Sequence, residues 1–328
     1  MNMRRKIKVL IVVVALILVG FAIYGGLQML ESSVFHKGTG AEEQQTSKTV
    51  TRDGIDYFPR QDITTLMILG IDETGPVQDS LSYNNEGESD VVLLVIFDET
   101  NEKYDVLAFN RDTMMDIPIV GLGGKKAGTK VGQLALAHTY GSGLQDSCEN
   151  TREAISGLLG GNFVDYYVSM NMDAIPILND AAGGVTVTVT DDFSEVGAQI
   201  PKGVVTLHGQ QALDFVQIRK DVGTQMNISR MERQKEYMHG FVTALNAKLE
   251  TSTSFVLETY DAVSPYVVTD CTVNTLNLLV NRFSEYEMGD VISPAGENVK
   301  GNVYMEFYLD EDAFDELILS LLYSPKEK

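Results

Sequence analysis

The chain has 328 residues, 44% hydrophobic and 22% charged, a composition that folds and that suffices for one larger domain or two small ones. A formal net charge of −21 excludes a nucleic-acid surface as the working face and disfavours anionic lipid headgroups. Cys148 and Cys271 sit in no metal motif, and His36, His138, His208 and His239 form no H-E-x-x-H or Cys/His cluster, so zinc and Cys/His-dyad chemistry have no residues.

Taken in chain order, Arg4, Arg5, Lys6 and Lys8 precede an apolar stretch from Val9 to Leu30. About 20 such residues cross a bilayer, and basic residues before the span orient the N-terminus to the cytoplasm. The expectation is a cytoplasmic segment over 1–8 and a transmembrane helix over 9–30, with everything after it outside the cell. A cleaved signal peptide is the alternative, but no A-x-A-like site follows a short apolar core. Residues 31–61 have mixed polarity and no sustained period, and are expected to form a tether. In an exported chain Cys148 and Cys271 could pair or remain buried thiols; spacing does not decide.

The pattern then changes. "TTLMILGID", "DVVLLVIF" and, after the polar turn "DETNEK", "YDVLAFN" are short branched runs that predict buried strands. Asn150 with Glu153 predicts a capping pair for the helix "TREAISGLLG". A strand "YYVSM", a helix "DAIPILNDAAGG" and an extended "VTVTV" follow. "FVQIRKD" alternates as a strand, which would put Gln217 and Arg219 on one face. Ser229 with Glu232 predicts a capping box, after which Met231, Met238, Phe241, Leu245 and Leu249 mark one apolar stripe. Near the end, "NVYMEFYL" reads as a strand and "DEDAFDELILSLLY" as a helix, with Phe314, Leu317, Ile318, Leu321 and Leu322 at helical spacing. Interleaved strands and helices predict an α/β domain with a central mixed sheet covered by helices.

Two groups of residues carry candidate chemistry. Arg230 and Arg233 lie in the opening turns of a helix, where the free N–H groups already favour an anion, so cations there are unfavourable unless an anion is bound. Guanidinium groups suit bidentate phosphate contacts. The plainer reading is that they neutralise the abundant acids on a solvated face. In "FNRDT", Arg111 and Asp112 stand where a strand gives way to a loop, and Asp72 and Asp90 stand at comparable strand ends. Carboxylates beside a phosphate make sense with a divalent cation between them, and Mg²⁺ is held by one or two carboxylates plus substrate phosphates. The plainer reading of each Asp is a turn or cap. "GGKKAGTK" lacks the P-loop order, and no G-x-S-x-G elbow or H-R-D set occurs.

The succession "LMILGID", "SDVVLLVI", "NRDTMMDIP", "LAHTYG", "VDYYVSMNMDAIPILNDAAGGVTVTV", "LHGQQALDFVQIRKD" and "SRMERQ" resembles the LytR-CpsA-Psr family of cell-wall assembly proteins over residues 62–250. The resemblance implies an α/β/α sandwich on an N-terminal transmembrane helix, with residues 251–328 as a C-terminal α/β extension packed on the same domain. It implies a phosphotransferase of Gram-positive envelopes that moves an anionic glycopolymer, such as teichoic acid or capsule, from a polyprenyl pyrophosphate carrier to peptidoglycan, forming a phosphodiester. Carried over by position, Asp72 and Asp90 would hold Mg²⁺. Arg111, Asp112, Gln217, Arg219, Arg230 and Arg233 would contact the pyrophosphate, with Asp90, Arg111 and Arg219 catalytic. Nearby apolar faces would enclose the polyprenyl chain.

The chain also departs from the pattern. Many members carry Arg two residues before the Ser-Asp aspartate and two before the second arginine, where Glu88 and Gln217 stand here, and Asn110 replaces a Pro. A charged hydrogen bond is worth about 1.5–3 kcal/mol, so losing two cationic contacts weakens anion binding. Two further readings therefore stand beside the transferase: a hydrolase of lipid pyrophosphate using the same site, and a non-catalytic envelope protein that binds lipid-linked glycan.

Overall fold

The computed structural model describes residues 49–78, 87–120, 126–161, 163–218, 220–223, 227–251, 262–271, 286–301 and 304–326, with 259, 275, 279, 282 and 283. The expected cytoplasmic segment and span, and residues 31–48 of the expected tether, lie outside these; no described helix is long and apolar enough to cross a membrane. The rest of the tether expectation is corrected. Val50–Arg52 (β1) and Ile55–Pro59 (β2) form a hairpin, closed by Asp53 and Gly54 at φ 52° and 75°, the positive angles a two-residue turn requires. Its second strand pairs antiparallel with Tyr323–Pro325, joining the two ends of the described chain.

The central sheet has six strands. Ile63–Ile71 (β3), Ser89–Asp98 (β4) and Lys103–Phe109 (β5) form an antiparallel meander. Met114–Val120 (β6) and Lys126–Gln133 (β7) make a separate antiparallel pair, so residues 126–130 of "GGKKAGTK" are strand. A 3-10 segment, Leu134–Tyr140, leads to the helix Leu144–Leu158 (α1). That helix begins six residues before the expected Asn150 cap. Asn150 is buried inside it and donates to the carbonyls of Pro118 at 3.1 Å and Ala137 at 2.6 Å, a tertiary clamp in place of a cap. Tyr166–Asn171 (β8), the helix Ala174–Ala181 (α2) and the pair Val185–Val189 (β9) with Gly203–Leu207 (β10) follow.

Gln210–Gln217 is a helix (α3), where the sequence pattern predicts a strand from Phe215 onward. Ala212, Leu213, Phe215 and Val216 are buried at helical spacing, which overrides the local alternation. Asn227–Thr251 (α4) starts two residues before Ser229, which is therefore inside the helix. Val267–Thr269 (β11), Glu287–Ile292 (β12), the hairpin Gly296–Lys300 (β13) with Met305–Leu309 (β14) and the helix Glu311–Leu322 (α5) complete the chain. The sheet order is β11-β8-β3-β4-β5-β12, with β3–β8 and β5–β12 parallel and the rest antiparallel, so residues beyond 250 supply both edges.

Alternation along the strands sends side chains to two cores. Met67, Leu69, Leu94 and Ile96 pack with Ile155 of α1 and Phe314 and Ile318 of α5. Leu66, Val95, Phe97 and Val168 pack with Leu178, Phe215, Phe241 and Leu245 of α2, α3 and α4. The result is the expected α/β/α arrangement around a mixed sheet. Both cysteines are buried free thiols, pushed up to about 12 by burial.

Candidate functional site

The site forms where the C-terminal end of β3 and the start of β4 meet the loop after β5 and the first turns of α4. A break in register aims its central residue. Gly70 faces Val91 and Ile71 faces Ser89, so Asp90 is the extra residue of a β-bulge. Strict alternation would place Asp90 with Val92 and Leu94, toward α1; the bulge turns it to the α4 side, where it meets Arg230.

Asp90 is 9% exposed and lies between two guanidinium groups. Arg230 Nη1 donates to its Oδ2 at 2.9 Å, and Arg111 Nη1 reaches its Oδ1. Arg111 Nη2 also pairs with Glu88, and its Nε lies 3.5 Å from Asp112 Oδ1, so three carboxylates surround this one cation. Arg111 is placed by an Asn110 turn: Asn110 Oδ1 accepts from the amide of Asp112 at 3.0 Å, and the Asn110 carbonyl accepts from Thr113 Oγ1 at 2.6 Å. Asn110 thus fixes by hydrogen bonds the bend that a proline would stiffen. Just before Glu88, the Gly87 carbonyl accepts from Nδ1 of buried His138, in the 3-10 segment, at 2.8 Å; burial pushes the His138 pKa down to about 4.

Asp72 is exposed at the end of β3; its amide donates to the Glu88 carbonyl at 2.8 Å, and its Oδ1 accepts from Gln217 at 3.2 Å. Asp72, Glu88 and Asp90 therefore line one corner of the sheet. Among the described residues no three His, Cys, Asp or Glu side chains cluster closely enough to hold a metal. The hard oxygens of Asp72 and Asp90 match a cation that takes one or two carboxylates and completes its shell with phosphates and water, and do not match an all-protein cage.

The remaining expected contacts separate. Arg233 is corrected: Nε donates to Phe215 O at 2.8 Å, Nη2 to Ile218 O and Nη1 to Asp191, and the guanidinium lies 5.4 Å from the Phe193 ring centroid. It holds the carbonyl end of α3, where a cation meets the last carbonyls and the negative end of the dipole, and its partners are these groups rather than Asp90. Asp112 is buried; the oxygen that lies 3.5 Å from Arg111 Nε also accepts from Gln133 at 3.0 Å. Arg219 lies outside the described residues.

A cavity of about 190 Å³ runs from these polar groups between the sheet and α4. Its wall is almost wholly apolar, with Ile68, Leu93, Ile175, Tyr237, Met238 and Val242 among its members. These side chains are only half-buried although they pack against the core, because one side faces empty space. Its polar lining comes from Asp90, Arg111 and the α4 residues Arg230, Gln234 and Lys235. An apolar slot with ionic groups gathered in one place fits an amphiphile carrying an anionic head. Periodicity along α4 identifies an apolar stripe but carries no sign that the stripe faces a void.

A family model described as the LytR_cpsA_psr family matches residues 24–318. The polyisoprenyl-teichoic acid–peptidoglycan teichoic acid transferase TagU of Bacillus subtilis is 34% identical over 92 residues, 28% of this chain and 29% of the relative. The cell wall biosynthesis protein LcpA of Corynebacterium glutamicum is 34% identical over 125 residues, 37% of this chain and 24% of that protein. The chain thus spans less than a third of the length of these curated relatives. Among solved structures, TagT bound to LIIa-WTA aligns with a TM-score of 0.60 at 21% identity, over 88% of this chain and 98% of that one. TagV of B. subtilis aligns at 0.59 and 20%, over 80% and 96%; at these identities the likeness is one of fold.

Proposed function

The chain belongs to the LytR-CpsA-Psr family, and from that premise we propose that it is a glycopolymer–peptidoglycan phosphotransferase. It would move an anionic wall polymer of the teichoic acid or capsule kind from a polyprenyl pyrophosphate carrier to a peptidoglycan hydroxyl. The observation that carries this reading is the apolar cavity whose ionic groups are Asp90, Arg111, Arg230 and Lys235. The apolar wall suits a polyprenyl chain and the guanidinium groups its pyrophosphate. The names of TagU and of the TagT complex point the same way.

In this reading Arg111 and Arg230 exchange Asp90 for phosphate oxygens when the donor enters, so their charge is set against the charge that grows in the transition state. Asp72 and Asp90 would hold Mg²⁺, which would supply further neutralisation of the pyrophosphate charge. Arg219 completes the cationic set. The acceptor oxygen attacks the sugar-linked phosphorus, the bridging P–O bond breaks, polyprenyl phosphate leaves, and the hydroxyl proton passes to a site carboxylate. We place the domain outside the cell membrane, anchored by a span over residues 9–30 with a cytoplasmic N-terminus.

The test incubates the full-length chain with Mg²⁺, a synthetic polyprenyl-pyrophosphate sugar and peptidoglycan fragments, and reads products by mass spectrometry. A phosphodiester adduct that disappears with Arg219→Ala is expected. Lipid phosphate without adduct would make the protein a hydrolase. Donor bound but unchanged would make it a binding protein, the reading favoured by the grip of Glu88 on Arg111.

A further inference from the structure

A second cleft, of about 120 Å³, lies between the β6–β7 pair and β14. Ile117, Leu136, Tyr140 and Tyr304 line it, with Lys130 and Glu306 as its charged members. Tyr304 is 67% exposed and Val131, in the same wall, 63%. Apolar and aromatic surface gathered on a concave wall marks a binding face, whereas the same residues scattered singly would not. Tyr140 is held in place: Lys130 Nζ donates to its hydroxyl at 3.3 Å and stands 5.9 Å from its ring centroid.

One carboxylate oxygen joins this cleft to the anion site. Asp112 Oδ1 accepts from Gln133, part of the cleft wall, at 3.0 Å and lies 3.5 Å from Arg111 Nε. Gln133 also donates to Met305 O at 2.8 Å, and the Phe307 amide donates to Asp112 O at 2.9 Å, so β14 is fixed against the same turn. Two side chains, Gln133 and Asp112, would link a ligand in the cleft to Arg111.

The lining charges cancel, one Lys against one Glu, so an anionic polymer gains nothing there. Aromatic faces beside planar carboxylate and amide groups instead suit a sugar, which offers flat C–H faces together with hydroxyl and amide groups. We propose that this cleft is the acceptor subsite and takes an uncharged amino-sugar stretch of the glycan beside Arg111. This rests on the reading of the chain as a transferase to a glycan acceptor.

The test titrates an uncharged oligomer of N-acetylglucosamine into the full-length chain without donor, and separately measures acceptor and donor KM in the transfer reaction. Wild type is expected to bind the oligomer, and Tyr304→Ala or Lys130→Ala to weaken binding and raise acceptor KM about tenfold with donor KM unchanged. Tyr304 is exposed, so thermal unfolding of its variant should match wild type. No oligomer binding by wild type, unchanged binding in both variants, or preference for an anionic polymer overturns the assignment. Transfer with unaltered acceptor KM in the variants removes the cleft and leaves the proposed function; oligomer binding without transfer does the reverse.

Discussion

Arg111 shows how much one side chain can be asked to balance. Its guanidinium answers Asp90, Glu88 and Asp112, and only Glu88 sits toward the solvent, its side chain 36% exposed. Glu88→Arg removes that competitor and adds a cation, so affinity for a polyprenyl pyrophosphate should rise about tenfold, the weight of one charged hydrogen bond. The gain should shrink as salt is raised, because charge supplies it. Titration calorimetry at two ionic strengths checks this. His138 gives a second prediction. Its folded pKa, about 4, lies below the ordinary 6.5, so below pH 6.5 the unfolded chain binds a proton that the folded chain refuses until about pH 4. Stability is complete above that window and falls as pH drops through it, by on the order of 3 kcal/mol. Denaturant unfolding of wild type and His138→Gln at pH 7 and pH 5 should show a steeper loss for wild type. The difference isolates His138 from Glu149, Asp165 and Asp270, whose burial-raised pKa values act with the opposite sign.

At the scale of elements, α4 decides the site. Its first turns deliver Arg230 to Asp90 and Arg233 to the end of α3, and its middle closes the cavity with Tyr237 and Met238. Gly240 lets it lie directly on β9: a Cβ there would stand 2.4 Å from the Thr186 carbonyl oxygen. Gly240→Ala must push helix and strand apart, an overpacking cost of about 1–3 kcal/mol that a lower Tm would reveal. Several elements were legible before the fold was known. Nine consecutive residues of β3 and the Phe314 and Ile318 stripe of α5 follow period and chemistry alone. The hairpin at Asp53–Gly54 carried a readable turn signal inside a segment whose overall composition suggests a tether. By contrast α3 and the start of α1 depart from the local pattern, because Phe215 and Asn150 are placed by tertiary partners.

For the whole molecule, the three layers put one cavity between sheet and α4 and a mixed sheet across its floor. Ile175→Trp would fill the apolar slot from α2 while leaving the ionic groups in place. Donors with long polyprenyl chains should lose at least about tenfold in kcat/KM, and short-chain donors should react as before. Comparing the two chain lengths in the transfer reaction checks this; equal losses for both would mean that the cavity is not the lipid site.

Local pattern determined what could be read without contacts: the alternation of strands and helices, the apolar face of each, the arginine and aspartate chemistry, and the resemblance those residues carry. Periods of two and 3.6 residues and charge are properties of neighbours along the chain. Tertiary structure alone decided which arginine meets Asp90, since Arg230 and Arg233 find their carboxylate partners, Asp90 and Asp191, 140 and 42 positions away along the chain. It also decided that the α4 stripe borders empty space, and that Asp90 turns toward it. Those outcomes depend on packing between distant segments and on a one-residue bulge, and nothing in a stretch of sequence records either.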